Sequence, residues 1–319
     1  MLSEVREQDK GVAYLKRVVA NECKIPLLLV GPEGVGKRFS VMAAIKEDFS
    51  GGDPGDNQCL QVDRGTHPDL IILTPDLGKD IGVDEMREAL TEATLHPSVA
   101  RRRYIVVDGA DRLSEGAANA ILKVLEEPPK NTRFLLISNS LEKVIPTIIS
   151  RCGVVRYNRL SEPFISAALS QLTDDSTKAT VYTRLSEGSV GRAVQYLGSN
   201  RIIFRNRVMA LLKTAVTGDL STLFSAIDEL ATEKKSAELI LAFQFLERIV
   251  TDLYLISYAP ERIANMDLHE ELTLLRERLG PIRLAALRRE INVVQERLPS
   301  KPNLAYQIKN CFCVAISER

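Results

Sequence analysis

The sequence predicts an α/β fold over its first half and an all-α fold over its second half. Short apolar runs alternate with helical patterns as far as residue 157, and such alternation is typical of a parallel, doubly wound sheet. After residue 160 the strand signals stop, and from 205 to 319 the apolar residues recur at helical spacing. A chain of 319 residues is long enough for two or three domains with sizeable cores.

Composition narrows the classes of function. The chain is 45% hydrophobic and 26% charged, and Lys+Arg equals Asp+Glu at 42 each, so no overall charge indicates a nucleic-acid or membrane partner. Apolar runs stay shorter than the roughly 18–20 residues of a membrane span, and the N-terminus lacks a secretory apolar core. Five scattered cysteines indicate reduced thiols. We therefore expect a cytoplasmic protein.

The individual elements follow from local patterns. The predicted strands are residues 27–30, 104–107, 134–137 and 154–157, and residues 70–73 form a further short apolar run. Helices are predicted over residues 8–23 and 39–48, from a cap at Asp84 through residue 95, and from a cap at Ser114 to Pro128-Pro129. Residues 50–58 read as a loop, and residues 163–198 as short helices.

A phosphate-binding loop is the strongest motif in the chain. Gly31-Pro32-Glu33-Gly34-Val35-Gly36-Lys37-Arg38 stands between a predicted strand and a predicted helix, the context in which backbone N–H groups, a helix N-terminus and a lysine surround an anion. Position 38 departs from the pattern, because Mg²⁺ normally takes a Ser or Thr hydroxyl there and a guanidinium has donors only. We expect the loop to be able to hold phosphates, with ATP or ADP as the possible ligand and no cofactor assigned, and to be poorly equipped for the metal; a glycine turn without ligand is the alternative.

Three further candidate site residues lie at the ends of predicted strands. Asp108 directly follows the strand at 104–107, at the position where a second acidic motif would hold Mg²⁺. The next residue is Gly109, whereas a hydrolysing enzyme carries a carboxylate base there. Asn139 follows the next strand and could sense a γ-phosphate, with a simple polar turn as the alternative. Arg151 precedes the last strand, either as a surface ion pair or as an arginine finger aimed at a neighbouring subunit.

The order of these motifs resembles the bacterial clamp-loader subunits of the AAA+ class. The most specific pieces are Asn119-Ala120-Ile121-Leu122-Lys123-Val124-Leu125-Glu126-Glu127-Pro128-Pro129 and Ser150-Arg151-Cys152, and residues 185–193 are similar to the lid segment of the same proteins. The resemblance implies an AAA+ P-loop domain over 1–158, a helical lid over 159–203 and a helical collar for oligomerisation over 204–319. Asp111, three residues after Asp108, is expected to have only a local role at the start of the next helix.

Departures from the family pattern indicate which type of subunit this is. Gly109 replaces the catalytic glutamate, Arg38 replaces the hydroxyl, and the expected lid arginine falls at Gly191, with Arg192 one step off. The resemblance then implies a stator without ATPase activity of its own. Its partners would be the gamma and tau motor subunits and the delta subunit of DNA polymerase III, and through them the sliding clamp and primed DNA. A gamma/tau-type ATPase and a nucleotide-free adaptor with a vestigial loop remain as alternatives.

The resemblance also implies roles for single residues. Arg151 would be the arginine finger acting in trans, and Gln8 would lie near the adenine. The possible nucleotide-binding residues are Gly31, Gly34, Gly36, Lys37, Arg38, Asp108 and Asn139. The family often carries four cysteines before Gly65-Thr66-His67-Pro68-Asp69, where this chain has only Cys59; we therefore predict no zinc, and a buried structural role for Cys59. Arg101-Arg102-Arg103 is expected to be a solvated turn, with DNA contact as the alternative.

Overall fold

A parallel five-stranded sheet lies at the centre of the first of two units in the computed structural model of the protein, which describes residues 1–76, 79–198, 201–218, 220–232, 236–297 and 303–317. The first unit is Met1–Ile165 together with Gly188–Gly191. The second unit is Ser166–Glu187 together with Arg192–Arg319. The chain therefore leaves the first unit, returns to it for four residues, and then enters the second unit for good.

The four predicted strands are present, each within two residues of its expected bounds, and the apolar run at 70–73 is a fifth strand. They are β1 Leu27–Val30, β2 Leu70–Leu73, β3 Arg103–Asp108, β4 Thr132–Ser138 and β5 Gly153–Arg156. Every pairing is parallel, and the strands lie in the order β2-β3-β4-β1-β5. The predicted parallel, doubly wound sheet is thereby confirmed.

Helices cover the sheet, and most of them begin where the sequence predicts. They are α1 Asp9–Val19, α2 Lys37–Ser50, α3 Asn57–Arg64, α4 Val83–Thr94, α5 Glu115–Glu126 and α6 Pro146–Ile149, followed by α7 Glu162–Ser170, which carries the chain into the second unit. Ser114 caps α5 as predicted, since its Oγ accepts a hydrogen bond from the N–H of Ala117 at 3.2 Å.

Two local predictions are wrong. The loop expected over residues 50–58 is shorter, because Asp56 caps α3 by accepting from the N–H of Gln58 at 2.7 Å. Asp84 does not cap α4: the cap is Gly82, whose N–H donates to Glu85 Oε2 at 3.1 Å, and Asp84 lies in the first turn. Both errors concern helix ends, where several short polar residues compete for the same backbone groups.

Both faces of the sheet are buried, as a parallel sheet requires. Alternate residues of β1 enter different cores: Leu27 and Leu29 pack in the cluster that includes α1 and α2, whereas Leu28 and Val30 pack in the cluster that includes α4, α5 and α6. The continuous apolar run Leu27–Val30 is therefore a strand in the middle of the sheet.

The strand order and register define one functional edge. Because β1 pairs with β4 and β5 rather than with β2, the direction of winding reverses beside β1, and ligands of such sheets bind at the carboxyl ends of the strands at that point. Val30 is level with Ser138, and Ile137 is level with Asp108. The loops that follow β1, β3 and β4 therefore meet at the same edge.

Among its described residues, the second unit consists of helices and the turns that connect them, without a strand. Its helices are α8 Ser176–Leu185, α9 Val190–Gly198 (whose first two residues belong to the first unit), α10 Arg201–Thr217, α11 Leu220–Thr232, α12 Ser236–Tyr258, α13 His269–Arg297 and α14 Leu304–Ser317. The apolar stripe predicted along α12 is buried from Phe243 to Leu253. Gly280 takes φ 69° and ψ 170°, which is not a helical conformation, so α13 is two helices that meet at a kink at Gly280-Pro281.

The predicted boundary between a lid and a collar near residue 203 remains a prediction, and residues 199–200 beside it lie outside the described residues. Among the described residues, none of the helices combines the length and apolar character that crossing a membrane requires.

Candidate phosphate-loop site

The glycines of the phosphate loop shape a groove at the functional edge of the sheet. Gly34 and Gly36 have φ values of +74° and +97°, a region that side chains other than glycine rarely adopt, and Gly36 caps α2. The first N–H groups of α2 therefore point out of the helix without an intrahelical acceptor. The groove has a volume of about 400 Å³ and is lined by Glu33, Gly34, Gly36, Lys37, Arg38, Phe39, Asp108, Ile137, Asn139, Val190 and Gly191.

Lys37 holds its own loop together. Its Nζ donates to the carbonyl oxygens of Gly31 and Pro32, both at 2.6 Å, and to Asn139 Oδ1 at 3.0 Å. An ammonium has three donors, so all three are used. Burial lowers the pKa of Lys37 to about 8, against the opposing effect of nearby carboxylates, first among them that of Asp108. The structure thus brings Lys37 and Asn139 into contact, and an entering phosphate must replace one of these three acceptors.

Arg38 and Asp108 form an ion pair where a phosphate-loop ATPase would bind Mg²⁺. Arg38 Nη1 lies 2.8 Å from Asp108 Oδ2. The nearest hydroxyl in sequence does not substitute, because Ser40 Oγ is buried and donates to the carbonyl of Gly36 at 2.8 Å. The Asp108 carboxylate is therefore paired with a guanidinium, and position 38 has no hydroxyl that could serve as the second metal ligand. These residues do not fit a resident Mg²⁺.

The backbone at Gly109 excludes the missing catalytic carboxylate. Gly109 has φ +127°, and a Cβ built on it would lie 2.9 Å from Cδ and 3.0 Å from Cγ of Pro75. Carbon atoms in good contact are about 3.5–4.0 Å apart. A carboxylate side chain at this position would therefore overlap Pro75 and strain the backbone.

Asp111 has a larger role than its sequence position indicates. Its Oδ1 accepts a hydrogen bond from the N–H of Asn139 at 3.2 Å. The expectation of a purely local role was wrong, because this bond ties the segment after β3 to the segment after β4. The contact depends on the register of β3 and β4, in which Asp108 lies beside Ile137.

Residues Gly188–Gly191 cover the phosphate loop. The N–H of Gly191 donates to the carbonyl of Gly34 at 3.1 Å. A Cβ on Gly34 would lie 2.2 Å from Ser189 Oγ, and a Cβ on Gly191 would lie 3.0 Å from Gly34 Cα. Close packing of the two backbones therefore requires glycine on both sides. Gly191 stands where the lid arginine is expected, and the packing against Gly34 leaves no space for a side chain there. The neighbouring Arg192 pairs with Glu187 at 3.7 Å within the second unit.

Gln8 joins the N-terminal segment to the loop. Its Nε2 donates to the carbonyl of Asn158 at 2.8 Å and to that of Val35 at 3.5 Å, and its Oε1 accepts from the N–H of Asn158 at 3.2 Å. The side chain is buried and its amide serves the backbone. A contact of this residue with adenine stays a prediction.

Arg151 lies directly after α6, at the surface of the first unit. Its Nε and Nη2 both contact Glu126 Oε2, at 3.2 and 2.9 Å, and its Nη1 donates to the carbonyl of Thr147 at 3.2 Å. The ion pair that the sequence left open is therefore present within the chain. The Arg151 side chain nevertheless remains 31% exposed, so a neighbouring molecule can contact it.

The segment around Cys59 and His67 is structural. Cys59 is 2% exposed, as predicted, and its thiol donates to the carbonyl of Asp53 at 3.4 Å. His67 stacks on Phe49 with ring centroids 4.1 Å apart, and its Nδ1 accepts from the N–H of Asp69 at 3.1 Å. Burial lowers the pKa of His67. Within the described parts of the chain, no group of three or more His, Cys, Asp and Glu side chains is arranged to hold a metal ion.

The arginine run before β3 is mostly buried, so the predicted solvated turn is wrong for two of its three residues. Arg102 donates to the carbonyl of Val18 at 2.8 Å and pairs with Asp48 at 3.0 Å. Arg103 pairs with Asp69 at 3.3 Å. Only Arg101 is exposed. The run therefore does not present three basic side chains to DNA, and it ties helices α1 and α2 to the sheet.

Together, the strand order 2-3-4-1-5, the phosphate loop after β1, the acidic residue after β3 and the polar residue after β4 define a P-loop protein of the AAA+ class. A sequence model described as "DNA polymerase III, delta subunit" matches residues 8–161.

Comparison with known proteins identifies the family more narrowly. DNA polymerase III subunit delta' of Escherichia coli is 30% identical over 248 residues, which cover 76% of this chain and 71% of that protein. The same subunit of Haemophilus influenzae is 40% identical over 124 residues, 38% of each chain. The chain belongs to the delta-prime family of DNA polymerase III, within the clamp-loader AAA+ proteins.

A solved structure supports the fold. The DNA polymerase III gamma subunit-related protein of Thermotoga maritima superimposes with a TM-score of 0.52 at 20% identity, and the match covers 83% of this chain and 98% of that one. At this level of identity the likeness concerns the fold alone.

Proposed function

We propose that the chain is the stator of a bacterial clamp loader and that it supplies Arg151 to the ATP site of a neighbouring motor subunit. It does not turn over ATP itself. In this role it assembles with gamma or tau subunits and a delta subunit, and the assembly loads a sliding clamp onto primed DNA in the cytoplasm.

The observation that carries the proposal is the ion pair between Arg38 and Asp108. In this pair, the Asp108 carboxylate that would ligate Mg²⁺ lies 2.8 Å from the Arg38 guanidinium. Gly109 adds a second defect, because its backbone leaves no room for a carboxylate base. Two independent parts of the hydrolytic centre are thus replaced, which favours a stator over a gamma/tau-type ATPase.

The position of Arg151 supports the role in trans. Its side chain is held at the surface by Glu126 and Thr147, while the chain's own phosphate loop lies at the carboxyl edge of β1. A guanidinium aimed at a transferring phosphoryl group offsets the charge that develops there, and such fingers contribute about 10³–10⁵ in rate in other phosphoryl-transfer systems.

A nucleotide-free adaptor is the second candidate, and one observation favours it. All three donors of Lys37 are used within the chain, so its ammonium group has hydrogen-bond partners without a phosphate. The adaptor and the stator differ only in whether this chain binds ATP or ADP, and equilibrium dialysis with labelled nucleotide separates them. The finger acts in either case.

The test of the finger is ATP hydrolysis by the reconstituted complex. We expect Arg151→Ala to lower DNA-stimulated turnover strongly while the complex still assembles on a gel-filtration column. Arg64→Ala is the matched control, because Arg64 is an exposed arginine of the same unit at the end of α3, and it should leave turnover unchanged. Equal turnover by the wild type and Arg151→Ala would exclude the finger.

A further inference from the structure

The contact between Arg151 and Glu126 restricts the orientation of the guanidinium. Two nitrogens of the guanidinium, Nε and Nη2, converge on the single oxygen Oε2 of Glu126. On the other side, Nη1 donates to the carbonyl of Thr147 at 3.2 Å and approaches Ser150 Oγ at 3.4 Å. The guanidinium plane is therefore fixed by acceptors on both edges.

The hydrogen-bond count leaves one donor available. A guanidinium has five N–H groups in a rigid fork. Four of them are directed at Glu126, Thr147 and Ser150, so one N–H of Nη2 has no acceptor among the described residues. Such an arrangement orients the side chain and keeps a donor free for an incoming oxyanion.

Both acceptors come from rigid elements. Glu126 is the last residue of α5, and Leu125 beside it is buried in the core. Thr147 belongs to α6, whose Ile148 is fully buried in the same cluster. The position of the guanidinium is therefore set by two helices packed against the sheet, rather than by a mobile loop.

We propose that Glu126 is a positioning residue for Arg151: it holds the guanidinium in the orientation that the neighbouring ATP site requires. This inference rests on the proposed arginine finger. Glu126 does not touch the nucleotide itself.

The physical reason is conformational entropy. An unrestrained arginine samples many rotamers, and ordering it at the moment of docking weakens its contribution. A carboxylate that orders it beforehand removes that cost, which corresponds to about a three- to tenfold change in rate. The same pair contributes little to folding, because Glu126 is 62% and Arg151 31% exposed, and exposed pairs are strongly screened.

The experiment is a double-mutant cycle in the reconstituted clamp loader. Wild type, Glu126→Ala, Arg151→Ala and the double variant are compared for DNA-stimulated ATP hydrolysis, with kcat and KM for ATP measured separately. We expect Glu126→Ala to lower kcat about three- to tenfold with KM little changed, and to cause no further loss in the Arg151→Ala background. Glu126→Gln, which keeps an acceptor oxygen without the charge, should lie between wild type and Glu126→Ala.

Controls separate positioning from a structural role. Glu127→Ala is the matched variant, since Glu127 is the next residue and is exposed; it should behave as wild type. Thermal unfolding of Glu126→Ala followed by circular dichroism should match that of the wild type.

The outcomes distinguish this inference from the proposed function. If Arg151→Ala lowers kcat and Glu126→Ala does not, the positioning role is wrong and the finger stands. A higher kcat for Glu126→Ala would mean that Glu126 restrains the finger, and equal losses in both backgrounds would indicate a structural role; either result overturns the inference. If Arg151→Ala has no effect, the proposed function itself fails.

Discussion

Gly109 stands where an ATPase of this class carries its catalytic glutamate, so Gly109→Glu asks whether the missing side chain can simply be restored. The structure predicts that it cannot. The backbone at this position has φ +127°, and holding a residue other than glycine in so sparsely populated a region costs about 1–3 kcal/mol.

Steric overlap adds a second cost. A Cβ on Gly109 would lie 2.9 Å from Pro75 Cδ, and forcing an extra carbon into a filled space costs about 1–3 kcal/mol. The two effects together amount to about 2–6 kcal/mol, a large part of the roughly 5–15 kcal/mol that stabilises a typical domain. We therefore expect Gly109→Glu to be clearly less stable than the wild type and to remain without ATPase activity.

The assay is urea denaturation followed by circular dichroism, because the chain contains no tryptophan for fluorescence. Gly52→Ala is the control, since Gly52 has φ +97° and nothing lies within 4 Å of a Cβ built there; it carries the backbone cost without the overlap and should lose less. A Gly109→Glu variant that unfolds at the same urea concentration as the wild type and hydrolyses ATP would refute the reasoning.

Three further predictions concern the loop and the buried charges. Arg38→Ser frees the Asp108 carboxylate and adds a hydroxyl, so Mg²⁺ should strengthen ATP binding by this variant but not by the wild type in isothermal titration calorimetry; stronger wild-type binding with Mg²⁺ would contradict this. Asp69→Ala leaves Arg103 and three backbone N–H groups of residues 98–100 without their acceptor, so urea denaturation should show a loss of about 3–5 kcal/mol, and a loss below about 1 kcal/mol would count against the network. Burial lowers the pKa of Lys37 to about 8, so the folded chain releases this proton more readily than the unfolded chain. The free energy of unfolding of the wild type, measured relative to that of Lys37→Met, should therefore rise between about pH 8 and pH 10.5. A decrease of this relative free energy over the same pH range would contradict the prediction.

The same Asp69 network predicts a pH dependence at the acid end. Burial alone would raise the pKa of Asp69, but hydrogen bonds from the three backbone amides and from Arg103 outweigh it, and the pKa is lowered. A carboxyl whose pKa is lower in the folded state stabilises fully above its unfolded pKa near 3.9 and loses that contribution as the pH falls. Unfolding of the wild type and Asp69→Asn should therefore converge below about pH 4. A constant difference between the two curves would argue against this account.

The sequence predicted those features that depend on neighbours along the chain. The strand Leu27–Val30, the glycine loop and the helix that follows are encoded within about 25 residues, so the phosphate loop and its missing Mg²⁺ hydroxyl could be recognised directly. The absence of a carboxylate at Gly109 was equally visible, whereas its φ of +127° and the nearby Pro75 were not.

Features formed by distant residues could not be predicted. Arg102 and Arg103 resemble a solvated basic run until the fold brings Asp48 and Asp69 beside them. The packing of Gly191 on Gly34 joins segments more than 150 residues apart, and its requirement for glycine appears only when both backbones are placed. The pairing of Arg151 with Glu126 likewise depends on the contact between α5 and α6.

The most direct test of the central claim is steady-state ATP hydrolysis by the purified chain, alone and mixed with its motor and delta partners, in the presence of Mg²⁺. The ion pair of Arg38 with Asp108 and the backbone of Gly109 predict no turnover by the isolated chain, and turnover in the mixture that depends on Arg151. Steady turnover by the isolated chain would contradict the account, because it would mean that other residues supply the metal site and the base.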